Sequence, residues 1–314
     1  MATTLSHAVP QASARAQSSS AGRPRAALSL SRPTAGSIAC SRACSFLSGS
    51  SSRLAITSGL VASTKASRSR QLCATVRSSG AVPDGSVSLV LLAGGVGKRM
   101  GASMPKQYLP LKGTPICLWS LKTISAMPEV GEVVVVCGED YREVFEGQQA
   151  DGVPMKFALP GAERQDSVFN GVSEIADGAK LVAIHDSARP CVTPEEVSRC
   201  IADAAEVGAA VLGVKTKATI KRATKDGMVD KTLDRSLLWE MHTPQIIEPA
   251  MLLEGFAFVK ENNLEVTDDV SIVEHLGKPV RITEGSYNNL KVTTPDDMII
   301  AGLIMDGEGA NLVA

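Results

Sequence analysis

Continuous apolar runs alternate with amphipathic stretches along most of the chain. Four runs are apolar at almost every position, namely Val87–Leu92 and residues 133–137, 181–184 and 209–214. A strand is apolar on both faces when helices cover both sides of its sheet, as in the parallel sheets of α/β proteins. The pattern therefore predicts a doubly wound, mostly parallel α/β sheet with its ligand site at the carboxyl ends of the strands.

Three other stretches have helical signals. Residues 165–176 carry apolar side chains at helical spacing, and Pro194–Val207 and residues 295–304 each begin with proline directly after a threonine. Threonine is a favoured N-cap residue, and proline fits the first position of a helix. These signals predict three helices, with the starts of the last two well defined.

Residues 215–235 interrupt the alternation. This segment reads KTKATIKRATKDGMVDKTLDR, with Asp226-Gly227 between two short runs. Asp-Gly at such a position is a strong hairpin signal. An isolated hairpin is marginal in water, so we expect this projecting arm to pack against a second subunit. A solvated surface hairpin is the alternative.

A glycine-rich turn follows the first strand and is followed by three cations. The segment reads LLAGGVGKRM over residues 91–100, and PKQY follows over residues 105–108. Glycines let backbone N–H groups approach an anion closely, and fixed cations stabilise a polyphosphate. The segment therefore predicts a nucleoside-triphosphate site, whereas the alternative is a turn that binds no ligand.

Two better-known glycine motifs do not match this turn. In a P-loop, Gly-Lys is followed by Ser or Thr, but Arg99 follows Gly97-Lys98 here. In a dinucleotide fingerprint counted from Gly95, the third glycine comes one position earlier than Gly101. ATPase-like and nicotinamide-binding interpretations are therefore disfavoured.

The composition divides the chain into two parts. The first 83 residues contain 20 Ser, ten Arg or Lys and no Asp or Glu, which is typical of an organelle transit peptide. We interpret residues 1–80 as a disordered transit peptide, whose Ser richness favours the chloroplast (plastid) as its destination, and residues 84–314 as one α/β domain. Low-complexity sequence without a targeting role is the alternative.

The second part is acidic. Residues 84–314 hold all 33 Asp and Glu residues against 22 of the 32 Lys and Arg residues. An acidic domain is a poor partner for nucleic acid or an anionic membrane, and no apolar run reaches the length of a membrane span. We therefore expect neither partner.

Three further segments carry candidate ligand groups. HDSARP follows the strand at residues 181–184, so Asp186 is placed in the ligand crevice as an oxygen ligand for Mg²⁺, with Arg189 available for a phosphate. GAERQDS precedes a helix, and Lys291 lies on a predicted short strand before the last helix. Ordinary capping and solvated charges are the alternatives.

Taken together and in order, these segments carry a family resemblance. LLAGGVGKRM, PKQYLPL, GAERQDSV, HDSARP, TIKRA, LDRSLLW, TPQ, VTDD and NLKVTTPDD occur between about residue 87 and the end of the chain. This part closely resembles the 2-C-methyl-D-erythritol 4-phosphate cytidylyltransferases. The resemblance implies a nucleotidyltransferase-like fold and a homodimer formed through the β-arm. It also implies transfer of a cytidylyl group from CTP to methylerythritol phosphate with Mg²⁺.

The resemblance also implies roles for individual residues. Arg99 and Lys106 would stabilise the α-phosphate in the transition state, and Lys291 would bind phosphate and position the attacking group. The nucleotide would contact Ala93, Gly94, Gly95, Gly97, Gly161, Ser167, Asp186 and Ser187, with Asp186 also holding the metal. Methylerythritol phosphate would contact Arg189, Thr243 and Thr267, together with Thr219 and Arg235 from the neighbouring subunit's arm.

This chemistry needs clustered cations rather than a general base. The phosphate of the acceptor is already an ionised nucleophile, and the difficulty is to bring two anions together. Four alternatives stay open: a ribitol 5-phosphate cytidylyltransferase, a UTP- or GTP-dependent nucleotidyltransferase, a nicotinamide-binding oxidoreductase and a non-catalytic nucleotide-binding homologue.

Overall fold

The computed structural model of the protein describes residues 82–95 and 104–307. The proposed transit peptide lies outside these residues. Gly97 and Arg99 also lie outside the described residues, so their roles stay predictions.

The described residues form eleven strands and six helices. The strands are β1 (Val87–Leu92), β2 (Pro110–Leu111), β3 (Thr114–Pro115), β4 (Val130–Val136), β5 (Met155–Ala158), β6 (Leu181–Asp186), β7 (Ala209–Lys215), β8 (Lys221–Ala223), β9 (Val229–Thr232), β10 (Trp239–Ile247) and β11 (Arg281–Glu284). The helices are α1 (Ile116–Ser125), α2 (Arg164–Val172), α3 (Pro194–Val207), α4 (Pro249–Glu261), α5 (Asp269–His275) and α6 (Pro295–Met305).

Seven strands form the central sheet, in the order β11-β7-β10-β6-β1-β4-β5. All neighbouring pairs are parallel except the two that involve β10, which runs antiparallel to β6 and β7. The predicted doubly wound, mostly parallel sheet is therefore confirmed. The order places the ends of β1 and β6 side by side, where Leu92 pairs with Asp186.

Hydrophobic layers cover both faces of this sheet. Leu89 and Leu91 of β1 belong to one buried cluster, together with side chains of α1 and α3. Val90 points to the other face and joins side chains of α2 and α5. This alternation along one strand explains why the run is apolar at every position.

Helix α2 lies very close to the sheet. A Cβ atom at Gly171 would come within 2.6 Å of Val90 Cγ1 and 2.8 Å of Val136 Cγ2. The helix also ends at Val172, earlier than the predicted residue 176. Beyond it, the amide of Ala176 donates to the buried carboxylate of Glu132 rather than to the helix, which gives that polar group a partner outside the helical ladder.

Helices α3 and α6 begin where the sequence predicts. Thr193 and Thr294 are their N-caps, and each forms a capping box with an acidic residue three positions later. The short strand predicted around Lys291 is wrong, because this residue lies in the loop between β11 and α6. The loop is tied to the fold by a hydrogen bond from Val292 N to Ala188 O.

The segment predicted as an arm contains a hairpin of β8 and β9. Its turn is closed by hydrogen bonds between Thr224 and Met228, and Gly227 has a φ of 84°. Every residue of both strands is exposed. Contact with a second subunit stays a prediction.

No helix within residues 82–95 and 104–307 combines the length and apolar character required to cross a bilayer.

Candidate active site

A cavity of about 420 Å³ opens at the carboxyl ends of β1 and β6. Its wall combines the glycine turn, the turn that carries Lys106, the start of α2, the end of β6 and the loop before α6. The predicted residues in the wall are Gly94, Gly95, Lys106, Gly161, Ser167, Asp186, Ser187 and Lys291. Five separate segments of the sequence therefore meet where parallel strands end, as is typical of ligand sites in α/β folds.

The described part of the glycine turn is packed tightly against its neighbours. Ala93 is buried and continues the strand ladder, since its amide donates to Val136 O at 2.8 Å. A Cβ atom at Gly94 would come within 2.5 Å of Pro160 Cβ, so a larger residue there would displace the turn. Gly95 borders the cavity and has open space at the Cβ position.

A second turn, before α2, depends on Gly161 and Ser167. A Cβ atom at Gly161 would come within 2.1 Å of Asp166 Cβ. The Ser167 hydroxyl accepts a hydrogen bond from Gly161 N at 2.9 Å and donates to Glu163 O at 3.1 Å. Ser167 thus stabilises the turn, whereas its contact with cytosine stays a prediction.

Two lysines meet at the loop between β11 and α6, since Lys106 contacts this loop and Lys291 lies on it. Lys106 Nζ donates to Val292 O at 2.6 Å, and Lys291 Nζ bonds Asp186 Oδ2 at 2.6 Å. Ser187 adds hydrogen bonds from its amide and hydroxyl to Leu92 O, which join the ends of β6 and β1. Two cations are therefore anchored at the cavity by the fold of one chain.

Asp186 is the centre of a buried charge network. Its second oxygen, Oδ1, lies 3.4 Å from Arg164 Nη2. Burial acts to raise the pKa of Asp186, but Arg164, Lys291 and Arg189 outweigh it and hold this pKa well below its usual value. Asp186 is therefore ionised throughout the physiological pH range and suits either cations or a metal.

Arg164 and Asp269 belong to this network, although neither was among the predicted site residues. The two form a bidentate ion pair with distances of 2.7 and 2.8 Å, and Asp269 is almost fully buried. Arg164 also lines the cavity. A buried, bidentate pair of this kind fixes the guanidinium plane, so Arg164 presents a preset positive charge to the cavity.

Behind Asp186, a buried hydroxyl connects one backbone amide and one side chain. The hydroxyl of Thr243 accepts from Asp186 N at 3.1 Å and lies 3.2 Å from His185 Nδ1. Arg189 O, 3.4 Å from Nε2, can only accept a hydrogen bond, which assigns the ring proton to Nε2 and leaves Nδ1 to accept from the Thr243 hydroxyl. Burial lowers the pKa of His185 to about 4, so the ring is neutral.

Arg189 is also buried and is held by the chain itself. Its Nη1 donates to Asn289 O at 2.6 Å, and Asn289 in turn donates to Thr243 O. The roles of Arg189 and Thr243 as substrate ligands stay predictions. The contacts show that both residues belong to the buried hydrogen-bond network that holds Asp186 in place.

Three predicted residues lie away from the cavity wall. Thr219, Arg235 and Thr267 are all exposed. Arg235 donates to Lys217 O at 2.9 Å at the base of the arm, and the amide of Thr267 donates to Ser271 Oγ. A single chain therefore does not bring these residues into the cavity.

The residues that the structure describes contain no cluster of three or more His, Cys, Asp or Glu side chains arranged to hold a metal ion. Asp186 is the one carboxylate predicted as a metal ligand that lies in the cavity wall. One carboxylate is a suitable protein contribution for Mg²⁺ when phosphate oxygens and water complete its octahedral shell.

Comparisons with known proteins agree with this geometry. The family model described as IspD: 2-C-methyl-D-erythritol 4-phosphate cytidylyltransferase matches residues 87–307. The chain is 60% identical over 227 residues to the chloroplastic 2-C-methyl-D-erythritol 4-phosphate cytidylyltransferase of Oryza sativa subsp. japonica, covering 72% of this chain and 76% of the rice protein. It is 41% identical to the Chlamydia pneumoniae enzyme of the same name, covering 69% of this chain and 98% of that protein.

Solved structures give the same result. The 4-diphosphocytidyl-2C-methyl-D-erythritol synthase of Anaerococcus prevotii has a TM-score of 0.64 at 25% identity, covering 71% of this chain and all of that chain. The 2-C-methyl-D-erythritol 4-phosphate cytidylyltransferase of Thermus thermophilus has a TM-score of 0.57 at 28% identity, covering 70% of this chain and 99% of that chain.

Proposed function

The chain belongs to the 2-C-methyl-D-erythritol 4-phosphate cytidylyltransferase family, and from this premise we propose that it transfers the cytidylyl group of CTP to 2-C-methyl-D-erythritol 4-phosphate. The products are 4-diphosphocytidyl-2-C-methyl-D-erythritol and pyrophosphate. The observation that carries the proposal is the cavity at the ends of β1 and β6, where Lys106 and Lys291 are anchored beside an amide-rich turn.

The cationic residues of the cavity act by electrostatic stabilisation rather than by proton transfer. An ionised phosphate oxygen of the acceptor attacks the α-phosphorus of CTP, and the bond to the bridging oxygen breaks, so that pyrophosphate leaves with the electron pair. Both reactants are anions, and the fixed ammonium groups of Lys106 and Lys291 offset their repulsion. Arg99 is the third cation that we assign to this role. Groups that are already oriented lose no energy to reorganisation as charge shifts during the reaction.

Magnesium is the metal that we assign to the reaction. Asp186 fits it, because this carboxylate is ionised, lies in the cavity wall and supplies hard oxygen atoms. When bound, the ion supplies charge neutralisation on the phosphate oxygens. The protein's own part is to keep Asp186 ionised and fixed between Lys291 and Arg164.

We assign the arm to a homodimer in which it completes the partner's acceptor site. The support for this is that Thr219 and Arg235 are exposed at the arm and that neither lines the cavity of its own chain. In such a dimer, each cavity would bind the nucleotide with its own residues and the acceptor phosphate with Arg235 of the neighbouring copy.

The protein is assigned to the chloroplast stroma. Residues 1–80 have the composition of a transit peptide, and the rice relative is chloroplastic. Residues 84–314 then form the catalytic domain, which agrees with the family match over residues 87–307.

Pyrophosphate release tests the proposal. We expect the purified protein to release pyrophosphate only when CTP, Mg²⁺ and methylerythritol phosphate are all present. Replacing methylerythritol phosphate by ribitol 5-phosphate is the control, and we expect little turnover with it. Equal turnover with ribitol 5-phosphate, or equal use of UTP, would contradict the assigned substrates.

A further inference from the structure

Gln107 is a buried carboxamide that lines the cavity, with only 3% of its surface exposed. It directly follows Lys106 in a short 3₁₀ turn, Lys106–Tyr108. Its Nε2 donates to Ala93 O at 2.6 Å and to Gly95 O at 2.8 Å. One side chain therefore holds two carbonyl groups of the glycine turn.

The orientation of this carboxamide is determined by its partners. Both partners are carbonyl oxygens, which only accept hydrogen bonds, so the NH₂ group must face them and both of its hydrogens are used. A second donor supports the first contact, because Tyr108 Oη donates to Ala93 O at 2.9 Å. Tyr108 is itself fixed by stacking on Tyr141, with ring centroids 4.0 Å apart.

These contacts control how the turn faces an anion. In a trans peptide the carbonyl oxygen and the following N–H point in opposite directions. Drawing Ala93 O toward Gln107 therefore turns the amide of Gly94 the other way. Carbonyl oxygens that pointed into the cavity would repel a triphosphate, whereas amide hydrogens attract it.

From this geometry we propose that Gln107 is a positioning residue for the nucleotide. It keeps the carbonyl oxygens of Ala93 and Gly95 turned toward itself, so that the turn offers the N–H of Gly94, rather than these oxygens, to the phosphates of CTP. The inference rests on the proposed function, since it assumes that CTP binds at this turn. It adds a residue that acts through the backbone rather than by touching the ligand.

The test is kinetic and uses the full-length protein. Gln107→Met keeps the length of the side chain but removes both donors, and Gln107→Glu keeps its shape but faces the two carbonyls with a carboxylate. We expect Gln107→Met to raise the KM for CTP about tenfold, in line with the loss of one to two net hydrogen bonds, and Gln107→Glu to raise it further. The KM for methylerythritol phosphate should change less than about twofold in both variants, since by this proposal Gln107 orients only the nucleotide turn.

Gln149→Met is the matched control. Gln149 also donates its carboxamide to a backbone carbonyl, that of Val153, but lies outside the cavity wall. We expect this variant to leave both KM values within about twofold of the wild type, because Gln149 does not line the cavity. Melting temperatures measured in parallel separate positioning from loss of fold.

The outcomes distinguish the inference from the function on which it rests. An unchanged KM for CTP in a folded Gln107→Met or Gln107→Glu variant of an active enzyme would overturn only the role of Gln107. So would equal increases in both KM values, which a general structural defect produces. A wild-type protein without CTP-dependent turnover would instead overturn the proposed function.

Discussion

The cavity and the arm differ in how their predicted functional residues are held. At the cavity, buried Asp186 contacts Lys291 and Arg164, which come from distant parts of the same chain. At the arm, Arg235 is exposed and its side chain donates to a backbone carbonyl of the neighbouring segment. The first set is complete within one subunit, whereas by our proposal the second acts on a ligand only in the cavity of a partner subunit. The nucleotide half of the reaction is therefore expected to depend on folding, and the acceptor half on assembly.

Removing a cavity cation should produce the largest effect. Lys106→Ala removes an ammonium that is anchored to Val292 O beside the glycine turn. We expect kcat to fall by about 10²–10³, as for other preorganised groups that stabilise transition-state charge. Initial rates of pyrophosphate release at saturating substrates measure it. A folded variant with wild-type turnover would remove the cavity from the mechanism.

Acid should destabilise the cavity through its buried histidine. The pKa of His185 is ordinarily near 6.5 and burial lowers it to about 4 in the folded protein. Between these values the unfolded chain binds a proton that the folded chain does not, so stability falls as the pH drops from about 6.5 toward 4. The full effect is on the order of 3 kcal/mol.

Urea unfolding at pH 7 and pH 4.5 measures this dependence. We expect His185→Gln to reduce the difference in unfolding free energy between the two pH values. The half-buried His242, whose pKa burial also lowers to about 4, supplies part of the remainder. His275→Gln, at an exposed position, is the control. The prediction is wrong if the His185 and His275 variants show the same pH dependence.

Paired threonine substitutions compare the two regions directly. Thr243→Val removes the hydroxyl shared by Asp186 N and His185, and it leaves both groups buried without that partner. We expect a loss of about 2 kcal/mol in unfolding free energy. Thr219→Val, on the exposed arm, should change it by less than about 0.5 kcal/mol. Equal losses in the two variants would show that the regions do not differ in this way.

The smallest expected effect tests assembly. Arg235→Ala should raise the KM for methylerythritol phosphate about tenfold, as expected for loss of a charged hydrogen bond, and leave the KM for CTP nearly unchanged. If the arm acts in the partner's site, mixing Arg235→Ala with Lys106→Ala subunits restores activity. A mixed dimer then contains one cavity with both cations. Absence of any recovery in dimers shown to have exchanged would count against a shared site.

Local patterns predicted the strands that helices cover on both faces, but not β10. Its sequence contains Pro244, which argues against a central strand because proline donates no ladder hydrogen bond. The structure accommodates it because the pairing with β7 is irregular between Met241 and Gln245. That interruption depends on tertiary packing, which no local signal reports.

The candidate site shows the same limit. Asp186 and Lys291 were predicted through motifs, and the structure places them 2.6 Å apart. Arg164 and Asp269 belong to the motifs GAERQDSV and VTDD, but they are 105 residues apart, and no spacing in the sequence indicates that they pair. Gln107 was missed for a different reason, since its partners are backbone oxygens that any sequence possesses.

Gly171, where α2 packs against the sheet, constrains the position of this helix relative to the cavity. Helix α2, which begins next to the Gly161 turn, lies so close to the sheet that a methyl group at Gly171 does not fit between them. Alanine there would improve intrinsic helix propensity by about 1 kcal/mol, yet it would push the helix outward and carry Arg164 with it. Overpacking of a core costs about 1–3 kcal/mol and so outweighs the gain in propensity; stability and the position of Arg164 therefore both require glycine at this residue.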